Sequence, residues 1–167
     1  MKAIVVYESL WGNTAAIARA IAEGIGAEAS ALSTSQASVE ALAGADLIVA
    51  GAPLLGFRLP TESMRNSIGR DPKHAQRPAD LSQPSLRSWL AALPKGSGRS
   101  AAFETRFKWS PGSATGAIGK SLMRAGYQPI AKDERFLVKG TYGPLADAEV
   151  ERAKAWGAEL ARLWKAE

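Results

Sequence analysis

Apolar side chains along this chain switch repeatedly between a strand-like and a helix-like spacing. Residues 2–7, Lys-Ala-Ile-Val-Val-Tyr, form a short β-branched run that predicts a strand buried on both faces. From Thr14 the period lengthens: Ile17, Ile21 and Ile25 recur every four residues, with Ala18 and Ala22 on the same face, until Gly24 and Gly26 end the helix. A weak strand follows at 27–32, a short helix at 37–43, and a strong strand at 46–51. Leu86, Trp89, Leu90 and Leu93 predict an amphipathic helix over 85–93, stopped by Pro94. A fourth strand at 100–103, a helix at 114–125 ended by Gly126, and a fifth, interrupted strand within 127–138 come next. The helix over 146–164 is expected to turn Val150, Ala153, Leu160 and Leu163 inward. Such alternation predicts an open parallel sheet of five strands with helices on both faces. Right-handed crossovers leave few ways to thread it. Residues 54–84, with Pro60, Pro72, Pro78 and Pro84, show no period and read as one long irregular connection, of the functional or mobile kind.

Composition narrows the chemistry. A length of 167 residues suits a single domain, 1–167, and 46% hydrophobic with 22% charged residues is ordinary for a globular chain. The absence of cysteine excludes disulfides, thiolate catalysis and cysteine-held zinc or iron–sulfur sites. The one histidine, His74, excludes a multi-histidine metal site and reads as an exposed loop residue. No apolar run approaches the roughly 20 residues of a membrane span. The N-terminus enters a strand without a signal-like apolar region, so a cytoplasmic protein is expected. The net charge of +5 is uneven. Residues 1–57 carry two basic and five acidic groups, whereas 58–108 carry ten basic and four acidic, a local excess of six that suggests an anionic ligand or partner.

Ligands of open α/β sheets bind beyond the carboxyl ends of the strands. The first such loop, Glu8 to Thr14, offers hydroxyls at Ser9 and Thr14, an amide at Asn13 and a close backbone approach at Gly12, ahead of a helix N-terminus. It suits a phosphate held by neutral donors, since the loop has no arginine or lysine. An ordinary capped turn would use the same residue types.

The run Val5-Val-Tyr-Glu-Ser-Leu-Trp-Gly-Asn-Thr-Ala-Ala-Ile-Ala-Arg-Ala-Ile21 resembles the N-terminal signature of the flavodoxins, and the order of elements resembles theirs over nearly the whole chain. Phe136-Leu-Val-Lys-Gly, Gly143-Pro-Leu, Glu149, Arg152-Ala and Trp156-Gly resemble the end of one flavodoxin subgroup. The resemblance implies a flavodoxin-like sheet in the order 2-1-3-4-5 and FMN as cofactor. It also implies that Ser9, Leu10, Trp11, Gly12, Asn13 and Thr14 hold the FMN phosphate. Pro53, Leu54, Leu55, Gly56 and Phe57 would flank one side of the isoalloxazine, and Thr105, Arg106, Phe107, Trp109 and Gly112 the other. Arg58, Arg65, Arg106 and Lys108 replace the acidic surface typical of electron-carrying flavodoxins. The expected redox partner therefore presents an acidic docking face, and the flavin potential is expected to be less negative than in an acidic flavodoxin.

Other motifs carry less. Ala114-Thr-Gly-Ala-Ile-Gly-Lys-Ser121 fits a relaxed phosphate-loop pattern, but about nine residues separate it from the preceding strand, and its second half reads as helix. A dinucleotide glycine fingerprint, a receiver-type acidic cluster and a Gly-x-Ser-x-Gly elbow are all absent. Nucleic-acid binding is disfavoured, because the arginines lack interleaved aromatics. The expected function is an FMN-binding electron-transfer protein, a carrier rather than an enzyme. Alternatives are a flavin-dependent NAD(P)H or quinone oxidoreductase, a protoporphyrinogen-oxidase-like enzyme, or a flavin-free binding module.

Overall fold

A computed structural model describes residues 1–166. The β-branched runs become β1 (Ala3–Tyr7) and β3 (Leu47–Pro53), which lie side by side with Ala3 opposite Leu47 and Tyr7 opposite Gly51. β2 (Ala29–Ser33) pairs with the other edge of β1, and β4 (Arg99–Arg106) with the far side of β3. The fifth position is shared by two short strands, β5 (Gln128–Pro129) and β6 (Glu134–Leu137), both parallel to β4. The sheet thus runs 2-1-3-4-5, with the interruption expected in its last strand.

α1 (Asn13–Ile25) and α6 (Glu149–Lys165) pack on one face, over Val5, Val49, Phe103 and Phe136. Their backbones touch. A Cβ on Gly24 would lie 1.9 Å from the Lys154 carbonyl oxygen, and one on Gly157 would lie 2.1 Å from that of Ile21. On the opposite face α2 (Val39–Leu42), α4 (Leu86–Ala92) and α5 (Thr115–Arg124) enclose Ile4, Val6, Ile48, Leu86, Trp89 and Ile118. No helix among the described residues is long and apolar enough to cross a membrane.

Three expectations change. Residues 54–84 are not wholly irregular: they contain α3 (Glu62–Arg70), capped by the Thr61 hydroxyl accepting from Met64 N–H at 3.2 Å, and a 3₁₀ turn at Pro72–His74. α3 hides from an apolar-period search because the residue it buries most deeply is Arg65. α6 begins at Glu149, and Val150 is exposed, because Glu149 takes the inward position on the face of Ala153, Gly157 and Leu160. His74 is buried rather than exposed. Its ring packs on Trp11 and Tyr142, with Nδ1 2.6 Å from the Tyr142 hydroxyl.

Candidate functional site

The carboxyl ends of β1, β3 and β4 meet at a small cleft of about 80 Å³. Its first side is the loop after β1. The Ser9 hydroxyl accepts N–H groups from Gly12 and Ala15, at 3.1 and 3.2 Å, and so caps α1 from within the loop. Gly12, at φ 95°, makes the turn into the helix. Backbone N–H groups of the first helical turn, Asn13 and Thr14 among them, have no acceptor inside the helix. The Thr14 hydroxyl lies 2.8 Å from that of Thr105, joining this loop to the end of β4.

Behind the loop stands Glu8, a buried carboxylate at the top of β1. It receives Arg65 Nη1 at 2.5 Å on one oxygen and Leu86 N–H at 2.9 Å on the other. Burial pushes its pKa up, against the pull of the Leu86 N–H and of Arg65. Arg65 also donates to the Gln83 carbonyl at 2.6 Å. One ion pair therefore binds α3, the loop before α4 and β1 together under the cleft.

The second side is built in the same way. Glu104, fully buried near the end of β4, accepts N–H from Ala114 at 2.6 Å and Thr115 at 3.0 Å, capping α5 from the sheet. Its other oxygen holds Arg106 Nη1 at 2.7 Å, and the same nitrogen reaches the Gly112 carbonyl at 3.1 Å. The loop after β3 makes a tight reversal in which Leu55 and Arg58 exchange backbone bonds at 3.0 Å, with Gly56 at φ 50° and Phe57 at φ 68°. Two successive positive φ values make this a type I′ turn, strained at the phenylalanine. Gly112 packs so closely on the turn that a Cβ would sit 2.0 Å from the Phe57 carbonyl oxygen. The loops after β3 and β4 thus touch at their tips.

Of the residues expected at the site, the structure brings Ser9, Leu10, Trp11, Asn13, Thr14, Pro53, Leu54, Leu55, Thr105, Arg106 and Phe107 to one cleft. Gly12, Gly56, Phe57, Trp109 and Gly112 do not line it. Phe57 is 58% and Trp109 76% exposed, and the Trp109 ring stacks on Phe107 at 5.3 Å and 4°. Val138 and Thr141 complete the lining. Neither carries a local sequence signal for the site beyond the position of Val138 within Phe136-Leu-Val-Lys-Gly. The structural roles of Glu8 and Glu104 were also missed, for each is a lone acid beside apolar strand residues. Arg65 and Arg106 are both buried and ion-paired: Arg65, held by Glu8, stands away from the cleft, and Arg106 lines it with its charge offset by Glu104.

Among solved structures, a flavodoxin from the domain Archaea is 26% identical over 99% of both chains, with a TM-score of 0.68. Flavodoxin 2 from Bacillus cereus reaches the same TM-score at 16% identity, over 97% of this chain and 99% of that one. A flavodiiron core, Flv1 from Synechocystis, is 23% identical with a TM-score of 0.63 and covers 99% of this chain but 36% of its own. No family model and no curated protein matches the chain. With the sheet order 2-1-3-4-5 and these similarities over nearly the whole chain, the chain has a flavodoxin-like fold.

Proposed function

We propose that the cleft binds FMN and that the protein carries electrons to and from a protein partner. The observation that supports this most is the lining itself, which combines neutral hydrogen-bonding groups of the loop after β1 with apolar and aromatic side chains of the loops after β3 and β4. Ser9 uses its oxygen to accept two amides, so its proton is available to a phosphate, and Asn13 adds an amide. Trp11, Leu54, Leu55 and Phe107 suit a fused ring, and FMN would supply the redox chemistry there. A volume of 80 Å³ is below the ~300 Å³ of an ordinary ligand site, so FMN bound there would extend beyond the cleft toward solvent.

The partner is proposed to present an acidic face. With Arg65 and Arg106 neutralised, Arg58 and Lys108 are the exposed cations of the two loops, beside the exposed rings of Phe57 and Trp109. The deciding experiment is titration of the purified protein with FMN and with riboflavin. Saturable FMN binding with a perturbed flavin spectrum supports the proposal; a protein that binds neither is the flavin-free module. Oxidation of NAD(P)H by the loaded protein alone would favour the oxidoreductase reading over the carrier.

A further inference from the structure

Beside the cleft lies a second, larger cavity of about 560 Å³, at the carboxyl ends of β1 and β2, which shares Ser9, Leu10 and Trp11 with it. The volume is within the usual range of small-molecule sites, ~300–1,000 Å³. We propose that this cavity binds a nucleoside 5′-monophosphate unit. The inference goes beyond the flavin reading: the site itself does not depend on it, and only the dinucleotide source named below rests on that reading.

Three kinds of group converge there. Arg19 projects from α1 and forms no ion pair among the described residues, leaving a planar guanidinium to grip a phosphate. Asp80 commits one carboxylate oxygen to the Ser82 N–H at 3.0 Å and to its hydroxyl at 2.5 Å; the other oxygen is available to a ribose diol. Gln36 spends its carbonyl oxygen on the Ser33 N–H at 2.9 Å, so its NH₂ is oriented and available to a base edge. Tyr7 and Trp11 add aromatic surface of the kind on which a base stacks.

The walls are already held in place. The Trp11 indole N–H donates to the Arg77 carbonyl at 2.9 Å, and its ring is wedged by His74 and Tyr142, 5.1 and 5.4 Å away. Asp80 N–H donates to the Leu10 carbonyl at 2.8 Å, and the Thr34 hydroxyl to the Pro84 carbonyl at 2.7 Å. The segment carrying Asp80 is therefore pinned to the ends of β1 and β2, which lowers the ordering cost of binding. The same nucleotide chemistry comes from two sources, the AMP half of FAD with its flavin half in the cleft, or a separate nucleotide such as NADPH.

Isothermal titration of the whole protein with AMP, adenosine and inorganic phosphate tests the site, with Arg19→Glu and Gln36→Ala as variants. Both side chains are exposed, and circular dichroism checks that each variant folds. AMP should bind one to one and more tightly than either fragment. Arg19→Glu should weaken AMP at least tenfold while leaving adenosine nearly unchanged, and Gln36→Ala should weaken both. FMN affinity should stay constant in both variants, since neither side chain lines the cleft. Displacement of AMP by FAD but not by FMN or NADPH identifies the dinucleotide half; displacement by NADPH with FMN still bound identifies a separate nucleotide. AMP that binds no better than phosphate, or that Arg19→Glu leaves intact, overturns the proposal. The FMN titration on the same samples reports the flavin reading independently.

Discussion

Glu8 and Glu104 each sit buried near the carboxyl end of a strand, each holding an arginine and the N–H of an incoming helix. A buried carboxylate stripped of its cation is costly, ~3–5 kcal/mol. Arg65→Leu should destabilise the protein by about that amount in a denaturant titration. Adding Glu8→Gln should recover part of the loss, because an amide needs no counter-charge and its carbonyl can still accept from Leu86. Equal stability of Arg65→Leu and the parent would mean that the pair contributes nothing. Within the cleft, Ser9→Ala removes a donor proposed for the phosphate. It should weaken FMN about tenfold while sparing riboflavin, in line with ~1.5–3 kcal/mol for a hydrogen bond to a charged group; equal losses for both ligands would count against a phosphate at Ser9. Arg106 lines the cleft with its charge offset by Glu104, whereas Arg58 forms no ion pair among the described residues and is the cation proposed to favour an anionic reduced flavin. Arg58→Glu should therefore lower the midpoint potential of bound FMN.

At the scale of elements, α1 and α6 meet through Gly24 and Gly157, where either Cβ would strike a backbone carbonyl. Backbone atoms cannot swing aside as a side chain can. Gly157→Ala should force the helices apart and cost ~1–3 kcal/mol, read as a lower denaturation midpoint. The start of α6 is held by Glu149, which accepts Leu137 N–H at 2.6 Å and pairs with Arg152, itself 4.4 Å from the Phe136 ring centroid. Burial raises the Glu149 pKa, but the hydrogen bonds from Arg152 and Leu137 and the charge of Arg152 outweigh it, so the net shift is downward. A depressed carboxylate contributes stability that is present above its unfolded pKa and is lost as pH falls through the lower folded value. Acid unfolding of Glu149→Gln should be flatter across that window. An unchanged acid limb would show that the clamp does not carry the pH dependence.

For the molecule as a whole, the excess of positive charge in residues 58–108 reduces at the cleft mouth to Arg58 and Lys108, flanked by exposed aromatic rings. Two cations would steer the acidic partner proposed above, and salt screens such charges over a Debye length of ~8 Å at physiological ionic strength. Stopped-flow electron transfer to an acidic partner should slow as salt rises, and Arg58→Glu with Lys108→Glu should flatten that dependence. A rate that is flat or rising with salt in the unaltered protein would retire the basic docking face. The strands, five of the six helices and the donor-rich loop after β1 were legible in the chain, because period, caps and punctuation are local properties. α3 was not, since it buries an arginine where an apolar stripe would have announced it. The same holds for the pairing of Glu8 with Arg65 across 57 positions, the capping of α5 by Glu104, the burial of His74 against Trp11 and Tyr142, and the contact between Phe57 and Gly112. Residue order along the chain dictates which segments pair and which face turns inward. Which charges are cancelled, and which therefore remain to meet a ligand or a partner, depends on distances between residues remote in sequence, and those exist only once the sheet has brought its strand ends together.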